Sequence, residues 1–263
     1  MKKILSRVFI WLLLFILYAP ILLITFFSFS DSKVATFKNF HFSFELWGKL
    51  FSNAKIMSAV FNTLGIAVVS SLIATIIAAL GCFGILSLKQ RQRNALMSVN
   101  QIPVINADIV TSFALMIFFV AVGLSNVGLL TLIVAHILIS MPFCVLTILP
   151  RFRQLDPNIF DAGQDLGATP TQSFFKAVLP QTIPACISAF LLGFTLSLDD
   201  FVITQYNNNG IDTISTLVYK SARKGVPPEF RALSALIFII VLVVLIVYNL
   251  KIRGKKKKHE IKD

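Results

Sequence analysis

Residues 59–86 read AVFNTLGIAVVSSLIATIIAALGCFGIL, 28 positions without a single Asp, Glu, Lys or Arg. Coiled as a helix at about 1.5 Å per residue, this run is longer than the roughly 30 Å hydrocarbon core of a bilayer. It is apolar all round rather than along one stripe, as expected of a helix surrounded by lipid or by other helices. A membrane β-barrel strand would instead alternate apolar and polar residues over about ten positions. Five further stretches share this character, at 8–29, 99–122, 127–149, 183–206 and 232–252. The sequence therefore predicts an all-α polytopic membrane protein with six transmembrane helices. The runs at 8–29, 59–86 and 232–252 are nearly charge-free. The third contains Pro103, Asn106 and Asp108, and the fifth contains Pro184 and the pair Asp199–Asp200. A short turn at 123–126 separates the third from the fourth.

Composition agrees. Apolar residues make up 56% of the chain and charged residues 14%, with a mean hydropathy of +0.82. Soluble domains are usually about 25% charged, so an ordinary soluble enzyme is excluded. The 25 Phe against 10 Pro and 12 Gly exclude disordered and collagen-like chains. The net charge of +12 lies in short clusters between apolar runs, not on one face of a folded domain as nucleic-acid binding requires.

Those clusters set the expected orientation, because cytoplasmic loops are enriched in Lys and Arg. With the N-terminus inside, the inner segments hold Lys2, Lys3, Arg7, Lys89, Arg91, Arg93, Arg151, Arg153, Lys176, Lys251, Arg253, Lys255–Lys258 and Lys262, two thirds of the 24 basic residues. The expectation is N-in, C-in. Its parts are a cytoplasmic N-terminus at 1–7, a membrane domain at 8–252 with a cytoplasmic loop at 151–182, and a basic cytoplasmic tail at 253–263. Lys2, Lys3 and Arg7 before an apolar run faintly imitate a signal peptide, but a run of about 22 residues exceeds a signal core of 7–15. An uncleaved anchor is expected.

Motifs for chemistry are missing from the sequence. Cys82, Cys144 and Cys186 fall inside separate spans without C-x-x-C spacing and read as small packing residues. His41, His136 and His259 form no metal-binding pattern, and no metal is expected. There is no Walker A sequence, no Gly-rich phosphate loop and no G-x-S-x-G. If ATP drives this protein, another chain hydrolyses it.

The loop at 151–182 is too long to be structureless in a compact protein, and it carries helix punctuation. Asp156 can cap a first turn with Pro157 at its start, and Gly167 suits the left-handed residue after a helix end over 157–166. Thr169-Pro170-Thr171-Gln172 then places an N-cap Thr three residues before Gln. It opens a second helix over 170–178, expected to end before Pro180, with Phe174, Phe175 and Val178 as an apolar stripe. Two short helices around a Gly–Ala corner would either lie on the surface as a re-entry into the fifth span or project from the inner face as a docking knob for a cytoplasmic partner, which the absence of any energy-converting motif favours.

The run Asp161-Ala162-Gly163-Gln164-Asp165-Leu166-Gly167, continued to Val178-Leu179-Pro180, resembles the EAA loop of ABC-importer permeases. That pattern is Glu-Ala-Ala, three residues, Gly, and after a further stretch an apolar-x-Leu-Pro ending. Asp161 stands where Glu is usual and Gly163 where Ala is usual, while Ala162, Gly167, Leu179 and Pro180 match. Tyr18-Ala19-Pro20, the segment 103–108, Leu166-Gly167-Ala168 and Thr195-Leu196-Ser197-Leu198-Asp199-Asp200-Phe201 are similar to the spermidine/putrescine permeases of that family. The resemblance implies a type I importer permease of the MetI-like fold. It implies that Asp161, Ala162, Gly163, Asp165, Gly167, Ala168, Phe174, Leu179 and Pro180 form the coupling element for an ATPase. The expected partners are a second permease chain, two ATPase subunits and an extracytoplasmic polyamine-binding protein. ATP and Mg would be used by the ATPase, with no cofactor on this chain.

A carboxylate inside a membrane is costly and normally faces a bundle interior or a water-filled path. Asp108, Asp199 and Asp200 are such acids, and no Lys or Arg lies within their own spans, 99–122 and 183–206, to neutralise them. They read either as satisfied structural acids or as a cation path, with Phe201 and Tyr206 offering aromatic faces to methylenes and ammonium groups. Asp200 shares a polar stripe with Thr204 and Asn207, which favours it over Asp199. The leading expectation is a polyamine permease working by alternating access. The alternatives are an importer for iron, thiamine or an anion, although an anion path would want basic residues, and an ion-coupled secondary transporter, which would show more spans and an inverted repeat. No paired His or Glu motif supports an intramembrane enzyme.

Overall fold

A computed structural model describes residues 2–32, 36–124, 128–156, 158–223 and 225–260, leaving the side chains at 2–5, 39, 244, 245 and 247–260 outside the description. The described residues are almost entirely helical, and their one extended pairing is an isolated antiparallel bridge between Ser30 and Phe42. The chain divides into two compact units, Met1–Met57 with Val218–Asp263, and Ser58–Leu217.

In the first unit, α1 (Lys2–Phe27) is followed by α2 (Glu45–Ser52), and α12 (Glu229–Glu260) packs against both. Aromatic contacts fix the link after α1. Phe29 lies 5.9 Å from Phe42, 5.6 Å from Phe44 and 5.6 Å from Trp47, ring centre to ring centre. Leu46 and Leu50 anchor the buried side of α2, and the Arg231 guanidinium donates to the Ser32 carbonyl at 3.0 Å.

The second unit is built from most of α3 (Ala54–Leu86), then α4 (Gln90–Ile105), α5 (Asp108–Ala121) and α6 (Leu129–Arg153). After these come α7 (Asn158–Asp165), α8 (Pro170–Ser173), α9 (Leu179–Asp199), α10 (Val202–Asn207) and the first part, to Leu217, of α11 (Ile214–Ala222). Its core forms where α3, α6 and α9 meet. Ala74, Ala78, Ala79 and Cys82 from α3 face Cys144, Val145, Ile148, Leu149 and Phe152 from α6, with Ala189 from α9. Small residues let helix backbones approach closely, which is the main source of packing energy in a membrane. At Gly193 a Cβ would already lie 3.4 Å from both Cys144 Sγ and the Ser71 Cβ.

Four helical segments among the described residues are long and apolar enough to cross a membrane: Ser6–Phe27, Ala54–Leu86, Leu129–Arg153 and Pro170–Asp199. The predicted third span, 99–122, is not one helix. It is the pair α4 and α5, bent by 105°, so it counts as a fifth crossing only if the bent pair is taken together. Asn106 and Ala107 adopt extended backbone at the bend, where the run of Pro103, Asn106 and Asp108 had already interrupted the apolar pattern. Asp108 is the first residue of α5, where the positive end of the helix dipole favours a carboxylate. The predicted fifth span, 183–206, is likewise broken at Asp200 and Phe201. The predicted sixth, 232–252, falls within the continuous α12, part of whose side chains lie outside the described residues.

Candidate functional site

The predicted knob folds as α7, a tight corner, and α8. Asp156 Oδ1 accepts the Asn158 backbone N–H at 2.9 Å, opening α7 as expected; Pro157 lies outside the described residues. At the far end, Gly167 has φ +85°. Gly167 N–H donates to Gln164 O at 2.8 Å and Ala168 N–H donates to Gly163 O at 3.2 Å, the paired closing bonds of a left-handed helix terminus. Thr169 and Gln172 then form the reciprocal cap: Thr169 N–H donates to Gln172 Oε1 at 3.2 Å, and Gln172 N–H to Thr169 Oγ1 at 3.3 Å.

Two features of the knob were not legible in the sequence. The second helix does not end before Pro180. It passes through a π-helical turn, Phe174–Val178, into α9, and Leu179 N–H donates back to Phe174 O. Proline has no N–H and crowds the carbonyl four residues earlier; the wider turn before Pro180 absorbs that mismatch instead of breaking the helix. Gly163 also does not loosen the knob, as a glycine in a short helix would suggest. A Cβ there would overlap Ser173 Oγ and stand 3.1 Å from its Cβ, so the absent side chain is what lets α7 sit against α8. Ser173 closes that contact by donating to Phe160 O at 2.5 Å.

The knob is bolted to α3 by rings. Phe83 lies 5.1 Å from Phe160 and 4.6 Å from Phe174. Phe174 is thus buried and anchors the knob from within, whereas Asp161, Ala162, Asp165 and Gly167 are exposed. Gly163, Ala168 and Leu179 are half-buried and Pro180 is exposed. Leu166 is 89% exposed at the apex, an apolar tip that the sequence pattern did not single out. Its place beside the corner glycine was the available clue.

The three acids separate. Asp199 ends α9 and is exposed, and its carboxylate makes no hydrogen bond or ion pair among the described residues. Asp200 occupies the break, with 10% of its side chain exposed. Its Oδ1 accepts from Ile203 N–H at 3.2 Å, and its Oδ2 accepts from Thr204 N–H at 2.9 Å and Thr204 Oγ1 at 3.1 Å. Asp200 therefore caps α10. Asp108 is exposed on the first turn of α5. Tyr206 meets Phe113 edge to face at 6.1 Å, and Asn207 ties α10 to α5 by donating to Ser112 O at 3.3 Å. Phe201 is half-buried at the break. Asp199, Asp200 and Phe201 thus lie at the α9–α10 break itself, whereas Asp108 opens α5 and Tyr206 lies on α10 against Phe113 of α5.

Sequence reasoning missed the group beneath them. His136 of α6 is 2% exposed, with Nδ1 2.8 Å from Ser197 Oγ and Nε2 3.1 Å from Thr204 Oγ1. A lone histidine in an apolar run gives no periodic signal, and its partners lie 61 and 68 positions away.

Residues 70–253 match the family described as "Binding-protein-dependent transport system inner membrane component". The chain is 36% identical to the putrescine transport system permease protein PotI of Escherichia coli over 250 residues, covering 92% of this chain and 89% of that one. It is 29% identical to the spermidine/putrescine transport system permease protein PotC of Haemophilus influenzae, covering 92% and 93%. It is 34% identical to a PotC homolog of Mycoplasma genitalium, covering 76% and 72%. Among solved structures, a chain of a bacterial ABC transporter involved in import of the acidic polysaccharide alginate superposes with a TM-score of 0.68 at 17% identity, covering 94% of this chain and 92% of that one. At that identity the likeness is one of fold.

Proposed function

Because this chain belongs to the family of binding-protein-dependent transport system inner membrane components, we propose that it is the permease subunit of an ATP-driven importer of polyamines such as spermidine and putrescine. The observation that carries the cargo is the identity with polyamine permeases along nearly the whole chain. The chain is a transport subunit and not an enzyme. It contributes half of a pathway in the cytoplasmic membrane, completed by a second permease chain. Two ATPase subunits grip the two permeases from the cytoplasm, and an extracytoplasmic binding protein delivers cargo. The full arrangement is six crossings, N-in and C-in, with the bent α4–α5 pair and α12 supplying the crossings beyond the four unbroken ones.

In this mechanism α7 and the Gly167 corner are what the ATPase moves. Exposed Asp161, Ala162 and Asp165 form the gripped face, and Leu166 is the apolar tip that enters the partner's groove. The rings at Phe83, Phe160 and Phe174 carry the motion rigidly to α3 and, through the π turn, to α9. At the other end of α9 the helix breaks beside Asp199 and Asp200. A polyamine needs carboxylates spaced along a passage and aromatic faces for its methylenes, and the α5–α9–α10 junction offers both. The test is uptake in proteoliposomes holding the complete complex. Putrescine and spermidine should be taken up only with ATP inside the ATPase-facing compartment and loaded binding protein opposite. Stimulation by another solute and by no polyamine would overturn the cargo assignment.

A further inference from the structure

The row of polar side chains running through His136 has a direction that follows from counting hydrogens. Thr204 has one hydroxyl hydrogen and gives it to Asp200 Oδ2 at 3.1 Å. Its oxygen can therefore only accept from His136, 3.1 Å away, so Nε2 carries the ring proton. A neutral imidazole has one N–H, which leaves Nδ1 to accept the Ser197 hydroxyl at 2.8 Å. The Ser197 oxygen is then free to accept from Ser70 Oγ at 3.4 Å. From Ser197 through His136 and Thr204 every donor points toward the Asp200 carboxylate, and Ser70 joins the row with a hydroxyl hydrogen shared between Ser197 Oγ at 3.4 Å and Ala67 O at 3.5 Å.

Such an aligned row is polarised cooperatively and suits an ionised acceptor at its end. Ser70 is 0% exposed, Ser197 5%, His136 2% and Thr204 0%, so water does not compete for these bonds. The row joins α3, α9, α6 and α10, four elements around one carboxylate. Among the described residues no Lys or Arg pairs with Asp200. Its nearest cationic candidate is His136 Nε2, 3.8 Å away, beyond hydrogen-bonding reach. Both oxygens of Asp200 accept hydrogen bonds, yet no Lys or Arg among the described residues balances its charge.

We propose that His136 is a positioning residue, which through Thr204 holds the Asp200 carboxylate fixed and ionised at the α9–α10 break as a counter-charge awaiting an ammonium group of the cargo. Without the row, the carboxylate keeps the backbone N–H groups of Ile203 and Thr204, but nothing fixes the direction of the Thr204 hydroxyl that completes its hydrogen bonding. The inference rests on Asp200 belonging to the cargo path, and its test separates the two.

The complete importer complex in nanodiscs would be compared as wild type, His136→Leu, His136→Gln, Thr204→Val, Asp200→Asn and the His136→Leu/Asp200→Asn double variant, with putrescine as the cation. The carboxylate stretching band of Asp200, isolated as the infrared difference against Asp200→Asn without putrescine, reports the positioning alone. Uptake reports its use. His136→Leu should shift the band and raise half-saturating putrescine about tenfold, the scale of one charge-assisted hydrogen bond, with the maximal rate little changed. His136→Gln keeps a donor toward Thr204 and should recover most of the loss. Thr204→Val removes the link and should reproduce His136→Leu, which keeps the test open if that variant fails to assemble. The double variant should be no worse than Asp200→Asn. An unmoved band in both His136→Leu and Thr204→Val, or a double variant that loses the full His136 factor on top of the Asp200 one, overturns the inference. A shifted band with wild-type uptake by Asp200→Asn supports the positioning and overturns the cargo-path reading.

Discussion

Asp199 and Asp200 are chemically identical neighbours that the fold treats differently, and the difference makes their substitutions separable. Asp199 is exposed and its carboxylate makes no bond among the described residues, so Asp199→Asn should leave the melting temperature of the purified complex unchanged. If it meets a polyamine, the lost contact is worth about 1.5–3 kcal/mol, and uptake at sub-saturating putrescine should fall at least tenfold. Asp200→Asn gives up a carboxylate that accepts three hydrogen bonds. It should lower both uptake and thermal stability, the latter by about 1 kcal/mol, the net worth of a hydrogen bond lost when the carboxylate's second oxygen becomes an amide nitrogen. Full uptake in both variants would remove the pair from the pathway. Gly163 is the other residue whose surroundings decide its meaning. Gly163→Ala improves helix propensity by about 1 kcal/mol but drives a methyl into Ser173, and overpacking of this kind costs about 1–3 kcal/mol. The expected net result is a looser knob, read as faster amide exchange over 158–165 and weaker co-purification of the ATPase. The paired variant Gly163→Ala/Ser173→Gly should recover both.

On the scale of elements, the knob is held by its corner and its caps rather than by a large core of its own. Thr169→Ala removes one half of the reciprocal cap and should cost about 1 kcal/mol, seen as faster exchange at the backbone of Gln172 and Ser173. Gly167 has open space around it, with nothing within 4 Å of an added Cβ. Its intolerance of substitution comes from φ +85° alone, a backbone conformation that is strained for a β-branched residue. Gly167→Val should therefore remain in the membrane, yet lose ATPase association as the corner swings. Co-purification at wild-type yield with normal transport would remove the corner from coupling. The π turn at Phe174–Val178 makes α8 and α9 one continuous segment, Pro170–Asp199, so a displacement passed from α7 through the corner to α8 would reach Asp199 with no further break before the α9–α10 one.

The whole molecule raises the question of sidedness, which the helices alone leave to charge. With 151–182 proposed as an inner loop among the Lys- and Arg-rich segments, a Gln164→Cys substitution at the half-buried position 164 of α7 should react in intact cells only with a membrane-permeant thiol reagent, once Cys82, Cys144 and Cys186 are replaced. Labelling by an impermeant reagent from outside would reverse the orientation. The sequence by itself determined the class of the molecule, because an unbroken apolar run has only one favourable solvent, and a bilayer demands that its backbone bond to itself. It also determined the knob's outline at Asp156, Gly167, Thr169 and Gln172, because caps and left-handed corners are made between residues close in the chain. Only the tertiary structure decided what happens where Pro103, Pro180 and the Asp199–Asp200 pair interrupt the apolar runs: a 105° bend, a π turn and a break. It alone placed Gly163 against Ser173 and brought His136 to Thr204 and Asp200. Those outcomes depend on which distant helix offers a compensating contact, and hydrogen bonds spanning 61 or 68 positions leave no period in the sequence that encodes them.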